Sequence, residues 1–471
     1  MKKLYSLLAC CAIAGAAMAQ TRYIDPVFPT VDITKDLTYG TGRLESGTIQ
    51  DLKWDLYKPA GDTKTDRPMI IIAHGGSLIA EYGDKTDGYI VDFATAMAKK
   101  GYVVAAITYR EGWAFNPLNT QEQNSRAILP AVWRAIQDYK TAIRFFKKSA
   151  AEGGNPYGIR QDLIIGGGFG LGGYLPMNAM ILDVGSEVKL PELMQKNPLT
   201  GNPTTTPYID TTKADLGGIW NTAGGSTGYS FRLDLVLNIS GAIATPKCFD
   251  LGVNPKIISI HSDQDEATPY KTDIVRAAGI FAVIQVHGSY VVNNKLFDLG
   301  PNKFWTPEER DGYKVKQGFQ DYQTMYTKGL YTFIGKPYMW STTTDTYDAT
   351  YDTQFKTEMD TVTTFSAYRM EKWLREEKGV SGIKEISYKN NDGAVKVFPN
   401  PAKDVISLQS TENGKLIREV DFLDLNGKLV KNALIIGGDS RNINISGMAT
   451  GIYTMKIYFD DAVITDKLVI E

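Results

Sequence analysis

The stretch Asp162-Leu-Ile-Ile-Gly-Gly-Gly-Phe-Gly-Leu-Gly-Gly-Tyr174 decides how the rest of the chain is read. An apolar run ends in Gly168-Phe169-Gly170-Leu171-Gly172, and a helix-like segment follows. This is the spacing of a nucleophile elbow, G-x-S-x-G, with Gly170 where the serine belongs. An elbow holds its central residue in a sparsely populated backbone conformation, at a cost of about 1–3 kcal/mol for a residue with a Cβ. Glycine adopts that conformation almost freely. Where no nucleophile is needed, serine to glycine favours stability over activity.

The same residues also read as G-x-G-x-x-G from Gly168 to Gly173, a dinucleotide fingerprint. That fold places the motif after its first strand, with an acidic residue about 20 positions on. Here several strand-like runs precede it, and Pro191 falls where the next strand would lie. No cofactor is expected.

Outward from the elbow, short β-rich runs alternate with helical segments. Residues 52–57 alternate at period two and predict an antiparallel edge strand. Residues 69–73 and 102–108 are continuous apolar runs, as in strands buried on both faces. Residues 89–100 and 131–148 have helical periodicity, and the first of these stops at Gly101. Further strands are expected at 162–165, 234–239 and 256–260. This rhythm predicts an α/β fold with a doubly wound, mainly parallel sheet over residues 20–380. The Pro-, Thr-, Asn- and Gly-rich stretch 191–218 and the polar stretch 301–328 read as insertions over one rim. Residues 381–394 read as a linker. From 395 to 471, short alternating strands separated by turn signals such as Asn426-Gly427 predict a small all-β sandwich.

Composition excludes several partners. With 51 basic and 53 acidic residues the net charge is −2, and 43% of the 471 residues are hydrophobic. There is a globular core, and no electrostatic case for nucleic acid or anionic membrane. Lys2 and Lys3, an apolar stretch from 4 to 17, and Ala17-Met18-Ala19 read as a signal peptide over 1–19, too short for a transmembrane helix. Leu7-Leu8-Ala9-Cys10 resembles a lipoprotein cleavage box, but cleavage there would leave very little apolar core before the cut. Cleavage after Ala19 leaves Cys248 alone, so no disulfide is expected.

Several signatures stand in order before and after the elbow: Leu56-Tyr57-Lys58-Pro59, His74-Gly75-Gly76, Gly101-Tyr102-Val103-Val104, Thr108-Tyr109-Arg110 and Ala131-Val-Trp-Arg-Ala-Ile-Gln-Asp138. On these the main domain resembles α/β-hydrolases of the carboxylesterase type. The resemblance implies an oxyanion hole made by backbone amides of the Gly75–Gly76 loop and of Leu171. It implies an acid at Asp265, in Ile260-His261-Ser262-Asp263-Gln264-Asp265-Glu266-Ala267-Thr268-Pro269-Tyr270, with Asp263 as the alternative. It implies a base at the end of Leu330-Tyr331-Thr332-Phe333-Ile334-Gly335-Lys336-Pro337-Tyr338, where this chain has Tyr338. Tyrosine, with a reference pKa of about 10, is a poor base at neutral pH.

The chain's three histidines, His74, His261 and His287, each fall where the pattern wants a structural imidazole. Gly224-Gly225-Ser226-Thr227-Gly228 matches G-x-S-x-G as a string but lacks the flanking strand and helix. Ser77 has no base. Three scattered histidines argue against zinc, while a calcium site at Asp263 and Asp265 stays open. Two of three triad positions, Gly170 and Tyr338, are therefore read as substituted around a retained Asp265.

The tail carries Val397-Phe398-Pro399-Asn400-Pro401, Asp424-Leu425-Asn426-Gly427-Lys428-Leu429-Val430, Gly451-Ile452-Tyr453 and Lys467-Leu468-Val469. It resembles the C-terminal sorting domain of the type IX secretion system, type A. That implies export across a Gram-negative outer membrane, with the secretion machinery as partner. The combined expectation is an exported, catalytically degenerate hydrolase. Its pocket would survive as a binding site for an unidentified ester-bearing glycan, lipid or peptide. An active ester hydrolase with a rearranged site and a surface structural or adhesive scaffold are the alternatives.

Overall fold

Along β3 (Arg67–Ala73) every residue is buried. Met69, Ile71 and Ala73 join one apolar cluster, while Ile70 and Ile72 join another. The pleat alternates side chains between faces, so an uninterrupted apolar run needs cover on both. The computed structural model that shows this describes residues 21–79, 83–113, 116–217, 226–250, 254–277, 280–305, 327–337, 349–380, 387–390, 393–411, 417, 419–425, 429–434, 440–458 and 462–471. The expected signal peptide, Gly224–Gly225, Tyr338 and the Asn426–Gly427 turn lie outside the described residues.

The described chain falls into two compact units, one ending at Val380 and the other starting at Ser381. The first is an α/β-hydrolase fold. Its main sheet comprises β1 (Val31–Arg43), β2 (Ile49–Pro59), β3, β4 (Val103–Ile107), β5 (Ile159–Phe169), β8 (Leu235–Ile239), β10 (Lys256–Ser262) and β13 (Leu330–Phe333). The order is β1-β2-β4-β3-β5-β8-β10-β13. β1–β2 and β2–β4 are antiparallel, and all later neighbours are parallel. The 52–57 run is thus not the edge strand expected: the largely exposed β1 flanks it and takes the edge.

Helices cover both faces. α1 (Gly88–Lys99) and α5 (Ala349–Lys378) pack on one side, α2 (Gln121–Ala151) and α3 (Leu171–Ile181) on the other. α2 starts ten residues before the predicted 131. Thr120 and Gln123 form a reciprocal capping box there, and the helix runs on through Pro130 once that start is fixed. A buried Arg110–Asp138 pair, with Nη2 to Oδ1 at 2.8 Å, ties α2 to the end of β4.

The stretch 191–218 carries two short strands, β6 (Met194–Lys196) and β7 (Pro203–Pro207), paired antiparallel. A second sheet that the sequence reading missed has the order β11 (Thr272–Ala277), β12 (Phe281–Gly288), β9 (Ala242–Ile243). α4 (Ser289–Leu299) follows it. Among the described residues no helix is long and apolar enough to cross a membrane.

The second unit is all β. One sheet has the order β14 (Ser387–Asn390), β21 (Ala462–Ile470), β20 (Gly451–Tyr458), β17 (Glu419–Leu423), β18 (Leu429–Leu434). The other has the order β15 (Val395–Phe398), β16 (Val405–Ser410), β19 (Ser440–Asn444). Ile406, Leu408, Val420, Phe422, Met455 and Leu468 are among its buried core. The stretch 381–394, expected as a linker, is not all connection. β14 pairs parallel with β21, because the edge of β21 offers free backbone groups to any adjacent extended segment.

The strand–helix crossing at the elbow leaves no room for side chains at its flanks. A Cβ on Gly172 would stand 2.1 Å from the Ala73 carbonyl oxygen and 2.5 Å from that of His74. Both are backbone atoms, so neither can swing away. Gly172→Ala is expected to destabilise the first unit by several kcal/mol, on the order of the largest core effects. A urea midpoint equal to wild type would show that α3 can lift off the sheet.

Candidate functional site

β3 and β5 run parallel and end side by side, Ala73 opposite Gly168. The loop after β3 and the turn after β5 therefore meet at the same edge of the sheet. Gly170 caps α3 with φ 53° and ψ −121°, which few residues with a Cβ adopt. Its amide donates to the Ile239 carbonyl at 2.8 Å. A Cβ at this position would point into space, with the Gly75 Cα as its nearest neighbour at 4.0 Å. The position is thus open to a side chain and strained by one, as at an elbow nucleophile. The Leu171 amide is the first of α3, and opening helical amides lack intrahelical acceptors.

A cavity of about 600 Å³ begins at this point. Gly75, Gly76, Gly170, Leu171 and Asp265 all line it, so five of the six singled-out residues share one site. Tyr338 lies outside the described residues, although the chain leading to it is anchored here. The Asp263 carboxylate accepts from the Gly335 amide at 2.9 Å, and the Ser262 hydroxyl donates to the Gly335 carbonyl. That contact separates the two acid candidates: Asp263 clamps the segment after β13, while Asp265 faces the cavity. The Asp265 Oδ1 accepts from the amides of Ala267 and Thr268, both at 2.9 Å.

One expected oxyanion donor is already engaged. The Gly75 amide donates to the Tyr89 hydroxyl at 3.0 Å. Burial holds the Tyr89 phenol well above its usual range, so it stays protonated. This contact bridges fourteen residues and has no signature in the string. It leaves the Gly76 and Leu171 amides as the cavity's candidate donors.

None of the three histidines lines the cavity. His74 stacks on Tyr109 with ring centroids 4.5 Å apart and bonds the Gly75 carbonyl through Nδ1 at 2.7 Å. Burial lowers its pKa, keeping it neutral. His287 bonds the Thr272 hydroxyl on the β11–β12 hairpin. His261 is fully buried, with Nδ1 2.7 Å from the Ser289 hydroxyl and Nε2 3.1 Å from the Thr268 carbonyl and 3.5 Å from Asp265 Oδ2. Ser289, His261 and Asp265 thus stand in the order of a hydrolytic relay, which sequence spacing could not suggest. Ser289 is fully buried as well and does not line the cavity, so Ser289 and His261 order the Asp265 loop from behind the cavity wall.

Of the alternative serines, Ser226 is buried away from the cavity, while Ser77 lines it with φ 56°. Among the described residues no group of three or more His, Cys, Asp or Glu is placed to hold a metal. Burial pushes the Cys248 thiol up to about 12, which keeps it an inert core group.

Two family models match this chain: BD-FAE over residues 54–188 and the secretion system C-terminal sorting domain over 396–471. The chain carries an esterase-like α/β-hydrolase domain and a type IX secretion sorting domain. The sorting domain marks it for export to the cell surface or outside the cell.

Solved structures similar to it include Thermogutta terrifontis esterase 2 phosphorylated by paraoxon, at 14% identity over 74% of this chain and 95% of that one, TM-score 0.38. The propionate-bound form of that esterase matches at 14% identity over 71% and 94%, TM-score 0.36. A truncated carbohydrate esterase from gut microbiota matches at 17% identity over 74% and 99%, TM-score 0.34. No curated protein matches the chain.

Two measurements probe this geometry. Gly170→Ser is expected to lower stability by about 1–3 kcal/mol through backbone strain alone, less than Gly172→Ala, as read from urea midpoints. Burial together with Asp84 and Asp87 raises the Glu111 carboxyl to about 8. A carboxyl that binds its proton more tightly folded than unfolded gives stability that falls as pH rises from the ordinary carboxylate range through about 8. Glu111→Gln should flatten that fall in melting temperature and leave the protein more stable than wild type above it.

Proposed function

We propose that this exported esterase-like protein does not hydrolyse esters, and acts by binding a ligand in the cavity beside Gly170. The observation that carries this reading is the elbow itself. The backbone of Gly170 holds the φ and ψ of a nucleophile position, and glycine brings no hydroxyl. A base is missing too, since His74, His261 and His287 are all engaged elsewhere and none lines the cavity.

Without nucleophile and base, transition-state stabilisation rests on the Gly76 and Leu171 amides alone. An oxyanion hole and binding together give on the order of a thousandfold over water. That is far below the millionfold or more typical of enzymes. The same amides still suit a carbonyl or ester oxygen in the ground state, so loss of turnover does not imply loss of recognition. In this reading Asp265 persists because its carboxylate organises the 265–268 turn, and Tyr338 takes the base's place in the sequence pattern. The sorting domain supports a binding role at the cell surface or outside the cell; export across a Gram-negative outer membrane is part of this reading.

The test uses purified mature protein with p-nitrophenyl butyrate and a fluorophosphonate probe. Wild type is expected to show no turnover above buffer and no labelling. Gly170→Ser combined with Tyr338→His is expected to gain labelling at residue 170. Turnover by wild type would overturn the non-hydrolytic reading, and its loss in a Ser77→Ala or Ser226→Ala variant would name the serine that acts in place of residue 170.

A further inference from the structure

The cavity beside Gly170 is much longer than an elbow requires. On α3 its wall is a stripe of Leu171, Tyr174 and Asn178, continued by Leu182 at the helix end. At 1.5 Å per helical residue, this stripe runs about 16 Å from the elbow. Ile128, Val132 and Ile136 on α2 form the facing wall. Val275, Val283 and Val286 of the β11–β12 hairpin also line it. The Asn178 amide is turned to the protein's own backbone, donating to the carbonyls of Tyr174 and Ala242. The deep part is therefore mostly apolar, with Arg276 beside Val275 the one cation among the described lining residues.

Length and volume agree on what fits. An extended hydrocarbon chain advances roughly 1.3 Å per carbon, given C–C bonds near 1.5 Å. About twelve carbons span the stripe. At organic packing densities, 600 Å³ holds about twenty carbon-sized atoms, enough for that chain and a small head group.

The end at Gly170 is polar and carries carboxylates. Asp265 stands there, and Asp87 and Asp92 line the cavity beside Tyr89 and the Gly75–Gly76 loop. Arg276 lines the cavity from β11, on the hairpin. Carboxylates near the head position repel a free fatty-acid anion. They accept hydroxyl donors, while the Gly76 and Leu171 amides suit a carbonyl oxygen.

We propose that this cavity binds a neutral, single-chain acyl ester of the monoacylglycerol kind. Its ester carbonyl sits at Gly170–Leu171, its hydroxyls face the carboxylates, and its tail of about twelve carbons lies along α3. The proposal rests on the reading of this site as a binding pocket.

Calorimetric titration of the full mature chain tests it, using 1-monolauroylglycerol, 1-monobutyroylglycerol and laurate, each below its micelle concentration at neutral pH. The lauroyl ester is expected to bind about a hundredfold or more tighter than the butyroyl ester, because eight more methylenes are buried. Laurate is expected to bind at least about tenfold more weakly than its neutral ester. Ala277 lines the cavity beside Val275; Val132→Phe and Ala277→Phe each fill the tail space, and each should weaken lauroyl binding while sparing butyroyl binding and the melting temperature. Equal affinity for the two esters, or lauroyl binding unchanged in both variants, would overturn the acyl assignment. Laurate binding as tightly as its ester would overturn the neutral head. Release of laurate by wild type would instead sink the non-hydrolytic reading and leave the chain-length result standing.

Discussion

The crossing of β5 and α3 is the constraint on which the rest of the first unit depends. Gly168, Gly172 and Gly173 let helix and strand approach until backbone meets backbone. A Cβ on Gly168 would stand 2.0 Å from the Gly172 carbonyl, and one on Gly173 would stand 2.8 Å from the Asn238 side chain. Close approach of this kind is what glycine permits and any other residue forbids. It brings the end of β5 level with the loop after β3, so that Gly170 and Gly75 face each other. The Tyr139 hydroxyl fills the neighbouring gap, accepting from the Gly167 amide and donating to the Ile71 carbonyl.

On the far side of the elbow a buried polar network sets the Asp265 loop. The Asn238 side chain donates to the hydroxyls of Ser259 and Ser289, Ser259 donates to Asn293, and Ser289 meets His261. These groups are fully buried and satisfy one another, as buried polar groups must. With Nδ1 accepting from Ser289, the imidazole of His261 can donate from Nε2 to the Thr268 carbonyl, which fixes the turn that carries Asp265. The carboxylate is thus held by the fold whether or not a catalytic base ever faces it. On the proposed reading, that is a physical reason for Asp265 to persist at a site without a nucleophile.

Stability and chemistry pull apart at Gly170. The backbone geometry that would make a serine reactive remains, and the residue that would feel its strain is absent. The surrounding surface is equally settled. Tyr89 occupies one oxyanion amide, and His74 is locked under the loop by Tyr109. What remains open is a long apolar chamber whose polar end carries two backbone donors and several carboxylates. On the proposed reading, such a surface serves recognition.

The elbow, the buried strands and the sorting tail were legible in the sequence because each rests on short-range patterns: glycine spacing, apolar runs and turn motifs. The absence of a serine at 170 and the small number of histidines are facts of composition that no folding can change. Other features needed the tertiary structure, because they join residues far apart in the chain. The Tyr89–Gly75 contact, the Ser289–His261–Asp265 alignment and the separate duties of Asp263 and Asp265 are of this kind. So is the chamber, which exists only where α2, α3 and the β11–β12 hairpin converge; each contributes a few apolar residues that, read singly, look like ordinary core. Local backbone preference is written in adjacent residues, but a cavity is defined by the side chains that fail to meet across it, and only the folded chain decides which those are.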